Sequence, residues 1–268
     1  MLNWLQRLFK GEGVARAIPD ALWHTTLGRY PFLVQLSGAE QAHLRALSCR
    51  FLTQKEFHGA QGMVITDEIA VTIAAQACLP VLRLGLGWYD DFVGIVVHSG
   101  QMLARRERTD EIGVVHRYSE VLAGEAMERG PVTLSWQDVA AAGESAGQGY
   151  NVVIHEFVHK IDMRDGAPDG CPPLPSRAAH ATWQAVMKPA YQTFREKVAM
   201  AERFGGESPW LDAYGAESPV EFFAVACEAY FVNRQRFTQD FPALTALFDQ
   251  FFKVNQPLGK RGLIQRGS

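Results

Sequence analysis

The pentad His155-Glu156-Phe157-Val158-His159 constrains this chain more than any other feature, because it places two imidazoles and a carboxylate inside a segment of helical periodicity. Val153, Ile154, Phe157, Val158 and Ile161 supply an apolar face, so residues 149–160 are expected to form a helix held against a core. At about 100° per residue, positions 155 and 159 are offset by only about 40° around the axis, and both imidazoles project from one side. Two imidazoles so placed can reach one tetrahedral ion, and Glu156 beside them can reach a water next to it, where a general base is needed. With 8 histidines among 268 residues, roughly 0.015 matches to this pattern are expected by chance. The bland alternative is two partly exposed histidines near a surface glutamate.

Length allows one large domain or two small ones. Apolar residues make up 47% and charged residues 21%, which is ordinary globular composition and leaves little room for extended disorder. A net charge of −3 and a pI near 6.2 give no global attraction to nucleic acid or to an anionic bilayer. Cys49, Cys78, Cys171 and Cys227 form no C-x-x-C pair and no dense framework, so reduced and mostly buried thiols are expected. The N-terminus lacks the continuous apolar region of a secretory signal, and a cytoplasmic protein is expected. The longest apolar stretch, 69–82, is too short and too interrupted to span a membrane.

In residues 1–20, Leu2, Leu5, Leu8 and Phe9 recur at helical spacing before Gly11-Glu12-Gly13 and Pro19 break the pattern, suggesting a loosely attached helix ahead of one domain over 21–268. Ser37-Gly38-Ala39-Glu40 reads as a capping box opening a helix over 37–52, and 65–79 reads as a second, largely buried helix. Strands are expected over 92–97, 113–118 and 132–136, where β-branched and aromatic runs are bounded by Gly, Pro and Asp. Further helices fit 177–203, 219–233 and 238–252, with Pro189 expected to kink or divide the first. Helices, then strands, then helices without βα alternation predict an α+β body, its helices packed on a small mixed sheet.

A catalytic zinc site normally has three protein ligands and an open position. Asp162 and Asp165 stand where a metzincin would need glycine and histidine, and no glutamate occurs between 157 and 195. A more distant carboxylate is required, and Glu217, Glu221 and Glu228 compete. Glu221 opens a helix that continues into apolar residues, an environment a metal would explain. Ser218-Pro219-Val220-Glu221 is equally a capping box with Pro at N1, and local pattern alone favours the cap. Glu228, seven residues on, is a second candidate whose ordinary reading is a surface charge; Asp212 is a further acid nearby. Asp162 shares the face of the two histidines and can orient an imidazole or a loop, or simply cap. Residues 132–136 read first as an ordinary interior or edge strand, and alternatively as the edge that pairs with an extended peptide; Arg105-Arg106-Glu107-Arg108, in an expected loop or hairpin, reads as a solvated turn or, alternatively, a contact for a partner.

The block His155-Glu-Phe-Val-His-Lys-Ile-Asp162, with Tyr214-Gly215 and Pro219-Val-Glu-Phe-Phe-Ala224, resembles the Mlc titration factor A family over nearly the whole chain. That family is one of bacterial zinc peptidases whose catalytic core resembles that of anthrax lethal factor. The resemblance implies a zincin-like metallopeptidase body binding one zinc through His155, His159 and Glu221, with Glu156 as the base and Tyr214 assisting the transition state. It also implies a cytoplasmic aminopeptidase-like activity on peptides. The implied partner is the transcriptional repressor Mlc, which would link the chain to control of the glucose phosphotransferase system. The competing class is a non-catalytic regulatory protein that sequesters the repressor and keeps a structural or weakly active metal site.

Overall fold

The computed structural model describes residues 17–109, 115–256 and 258. The expected N-terminal helix therefore lies outside the described residues. Helices α1 (Asp20–Arg29), α2 (Pro31–Val34), α3 (Gly38–Gln54) and α4 (Asp67–Ala77) build the front of the molecule, with strand β1 (Glu56–Gly59) between the last two. Ser37 caps α3 as expected: its hydroxyl accepts from Glu40 N–H at 3.3 Å, while the Glu40 carboxylate accepts from Ser37 N–H at 2.9 Å. Thr66 caps α4, and Asp67 and Glu68 complement the dipole of its first turn. From Ile69 onward α4 is buried on every face, which is how a helix with apolar residues all round must sit.

Strands β2 (Gly94–His98), β5 (Gly124–Ala126) and β6 (Val132–Ser135) join β1 in a four-stranded sheet of order β1-β2-β6-β5. β1, β2 and β6 run parallel, and β5 is antiparallel to β6. Between β2 and β5 the chain forms a separate antiparallel hairpin, β3 (Met102–Thr109) with β4 (Val115–Leu122). The architecture is α+β, with helices on a small mixed sheet. The Arg105–Arg108 cluster lies on β3, and its side chains fall outside those described.

Several boundaries differ from expectation. Residues 132–135 are an interior strand, because β6 pairs on one side with β2 and on the other with β5; the edge beside it is the three-residue β5. Trp136 opens helix α5 (Trp136–Ser145), which periodicity missed because an Ala-rich segment with only Val139 and Ala142 buried carries little apolar signal. Pro189 does not divide α7 (Arg177–Phe204). The single helix expected over 238–252 is two, α9 (Arg234–Asp240) and α10 (Pro242–Phe251), with Pro242 at the first position of the second.

The helix bearing the pentad is α6 (Val152–Asp162), and it packs against α8 (Pro219–Val232) in the middle of the molecule. Asn151 caps it through a side-chain oxygen that accepts from Ile154 N–H at 2.9 Å. Every residue of α6 is buried. Phe157 meets Phe51, Tyr89 and Phe92 at ring separations of 5.6, 5.1 and 5.9 Å, pinning the back of the helix to α3 and to the segment that connects α4 to β2. Lys160 is buried as well, its ammonium donating to the carbonyls of Met127 and Gly130. Both contacts tie α6 to the turn between β5 and β6. Among the described residues, no helix is long and apolar enough to cross a membrane.

Candidate metal centre

α6 and α8 bring the sequence-predicted donors to one point. His155 Nε2 lies 3.1 Å from His159 Nε2 and 3.1 Å from a Glu221 oxygen, which is 3.4 Å from His159 Nε2. Tetrahedral zinc with ligand bonds of about 2.0–2.1 Å needs its donors about 3.3 Å apart, so the triangle fits such an ion. Chemistry agrees with distance: two imidazole nitrogens and a carboxylate oxygen are the donor set that a catalytic zinc takes. No second set of three such donors of compatible geometry occurs among the described residues.

Glu221 resolves its two readings by dividing them between backbone and side chain. Its N–H donates to Ser218 Oγ at 3.2 Å, so Ser218 caps α8. Its carboxylate turns away from the cap toward the histidines. Burial alone would raise the Glu221 pKa, but hydrogen bonds and charge from His155 and His159 bring it well below the usual carboxylate range. Glu228 is neither a surface charge nor one of the three converging donors. It is 1% exposed, with one oxygen 2.7 Å from His155 Nδ1 and the other accepting from Asn151 N–H. Its seven-residue spacing from Glu221 was the only sequence signal that it faces the site. Burial opposes a charge on His155, yet Glu228, Glu221 and Glu156 raise its pKa well above the ordinary value.

Glu156 is also buried and lines the same cleft, of about 440 Å³. Desolvation raises its pKa despite the opposing charge of the two histidines. The opposite wall is β5, where Gly124 approaches so closely that a Cβ built there would lie 2.5 Å from a Glu156 oxygen. No sequence argument singled out Gly124. Tyr214 sits on the short turn Ala213–Ala216, with its ring 6.0 Å from that of His155. Asp212 starts this turn, accepting from Tyr214 N–H at 3.0 Å, and lines the cleft without joining the three donors.

Asp162 holds a loop. Its Oδ2 accepts from Gly170 N–H at 2.8 Å, and Gly170 in turn lies against the carbonyl of Pro219, the first residue of α8. At φ +80°, with a Cβ position 2.5 Å from that carbonyl, residue 170 has room only for glycine. The contact sets the start of the Glu221 helix against the end of the histidine helix.

Fold and donors together define an α+β protein with a His-His-Glu centre suited to a metal ion. A family model described as glucose-regulated metallo-peptidase M90 matches residues 5–253, and the chain belongs to that family. It is similar to proteins named Mlc titration factor A. The one from Salmonella arizonae is 36% identical over 235 residues, covering 87% of this chain and 91% of that protein. The one from Yersinia pestis is 32% identical over 261 residues, covering 97% of this chain and 92% of the relative.

Proposed function

We propose that the chain is a zinc-dependent metallopeptidase with aminopeptidase-like activity that also binds the repressor Mlc and so modulates expression of the glucose phosphotransferase system. The observation that carries the enzymatic part is the donor triangle of His155, His159 and Glu221, with the buried Glu156 carboxylate on the same cleft. Zinc in such a site supplies Lewis acidity, making water acidic near neutral pH and polarising a carbonyl. His155, His159 and Glu221 would hold it.

Glu156 takes the proton from the attacking water and returns it to the nitrogen of the leaving amine; its raised pKa suits a base working near neutrality. The Tyr214 phenol donates to the oxygen that gains charge at the carbonyl. An extended peptide lies along β5, the edge strand of the sheet, whose three residues line the cleft. Among the described residues no lysine or arginine lines the cleft, and the field of its carboxylates favours a free peptide α-ammonium. That field supports an aminopeptidase-like preference.

The repressor as partner is supported by the name of the relatives. The same name favours a second reading, a regulatory protein whose metal site is structural or weakly active. Metal analysis combined with hydrolysis of an amino-acid anilide by wild type and Glu156→Gln separates the two. The enzymatic reading expects zinc in both proteins and turnover lower in the variant by about 100-fold or more. Equal turnover in the two proteins, or none in zinc-loaded wild type, favours the regulatory reading.

A further inference from the structure

Behind the three converging donors lies a line of buried polar atoms that the proposed chemistry leaves unused. Glu228 divides its two oxygens: Oε1 lies 2.7 Å from His155 Nδ1, and Oε2 accepts from Asn151 N–H at 2.6 Å. Asn151 caps α6 through Oδ1 and donates from Nδ2 to Gln76 Oε1 at 2.7 Å. Gln76 belongs to the central helix α4 and is completely buried. One hydrogen-bonded chain therefore runs from the core of the front helices, through the N-cap of α6, to the ring of His155.

The direction of these bonds has a chemical consequence. A backbone N–H can only donate, so Asn151 commits Oε2 of Glu228 as an acceptor and leaves Oε1 facing His155 Nδ1, where the carboxylate, when ionised, accepts as well. A neutral His155 must then carry its proton on Nδ1, which leaves the Nε2 lone pair facing His159 and Glu221. His159 has no counterpart, since its Nδ1 is buried without a hydrogen-bond partner among the described residues. The two imidazoles are thus held by unequal means.

We propose that Glu228, backed by Asn151 and Gln76, is a positioning residue that fixes the tautomer and ring orientation of His155 so that Nε2 is presented to the metal ion. This rests on reading His155, His159 and Glu221 as metal donors. Glu228→Gln is the discriminating variant, because an amide has one oxygen for two donors and turns its NH₂ toward whichever it fails to accept from. Losing an outer partner of this kind weakens metal binding by about 10- to 100-fold.

The test uses the full chain. Zinc affinity is measured by competition with a chromophoric chelator, cobalt(II) substitution reports coordination through its visible spectrum, and thermal unfolding is followed without metal. The expected result for Glu228→Gln is a 10- to 100-fold loss of zinc affinity and an altered cobalt spectrum in a protein that still unfolds cooperatively. A lowered melting temperature with unchanged zinc affinity and cobalt spectrum would mark Glu228 as merely structural and overturn the proposal. Should the variant not fold, nitrogen-resolved NMR of the histidines in zinc-loaded wild type decides: a proton on Nδ1 of His155 supports the assignment, and coordination through Nδ1 overturns it. Wild type that binds no zinc would instead remove the metal reading itself, a failure visible before any variant is made.

Discussion

Gly124 on the edge strand and Glu156 on the buried helix are packed so tightly that a Cβ at residue 124 would lie 2.5 Å from Oε1 and 2.6 Å from Cγ of the glutamate. Because Cγ as well as the carboxylate is involved, turning the end of the side chain does not clear the space. Gly124→Ala should therefore displace the proposed base without touching a metal donor. Zinc content is expected to stay near one per chain, while kcat falls by about 10-fold or more and KM changes less. Steady-state kinetics beside metal analysis checks this, and a variant with unchanged kcat would detach Glu156 from the edge strand.

The donor triangle predicts one zinc per chain, with His155→Ala and His159→Ala each losing most of it. Glu221 and Ser218 offer a finer test, because side chain and backbone at the start of α8 do separate work. Glu221→Gln should weaken zinc binding strongly and, in metal-free protein, also lose the stability that the ionised carboxylate gains from the two histidines. Ser218→Ala should cost about 1 kcal/mol of stability and retain zinc. Calorimetric unfolding and chelator competition on both variants read the two effects, and zinc retention by Glu221→Gln would remove that residue from the ligand set.

Burial raises the Asp162 carboxyl from 3.8 to about 6, overcoming its hydrogen bond from Gly170 and the charge of His159. A raised carboxyl pKa means that the folded state binds the proton more tightly than the unfolded chain. Its contribution to stability is therefore largest below the unfolded value and declines as pH rises from about 4 to about 6, by up to about 3 kcal/mol. Asp162→Asn keeps an oxygen for Gly170 N–H and removes the titration. In metal-free protein, the stability of wild type minus that of the variant should fall across this window; a difference independent of pH would contradict the assignment.

Repressor binding and peptide hydrolysis are expected to use different surfaces. A folded repressor presents a broad face, whereas the cleft of about 440 Å³ between β5 and α8 suits an extended chain. Glu156→Gln with matched zinc content should bind Mlc with near wild-type affinity in titration calorimetry. A large loss of affinity would place the repressor at the cleft.

Sequence by itself determined the elements whose cause lies within a turn or two of helix. The 3.6-residue period around the pentad placed His155, Glu156 and His159 on α6, and the Ser37/Glu40 box marked the start of α3 to the residue. The apolar run of α4 announced a central helix for the same reason, since periodicity and capping act between neighbours. What the tertiary structure decided depends on groups that meet only after the chain closes long loops, where local pattern cannot rank the competing acids. It turned the Glu221 side chain to the histidines while leaving the cap to Ser218, and it buried Glu228 against His155, 73 positions away. Only sheet pairing could make the three residues of β5 an edge and the stronger-looking β6 an interior strand. Gly124 shows the limit most directly: its missing side chain has meaning only because Glu156, 32 positions later in sequence, occupies the space.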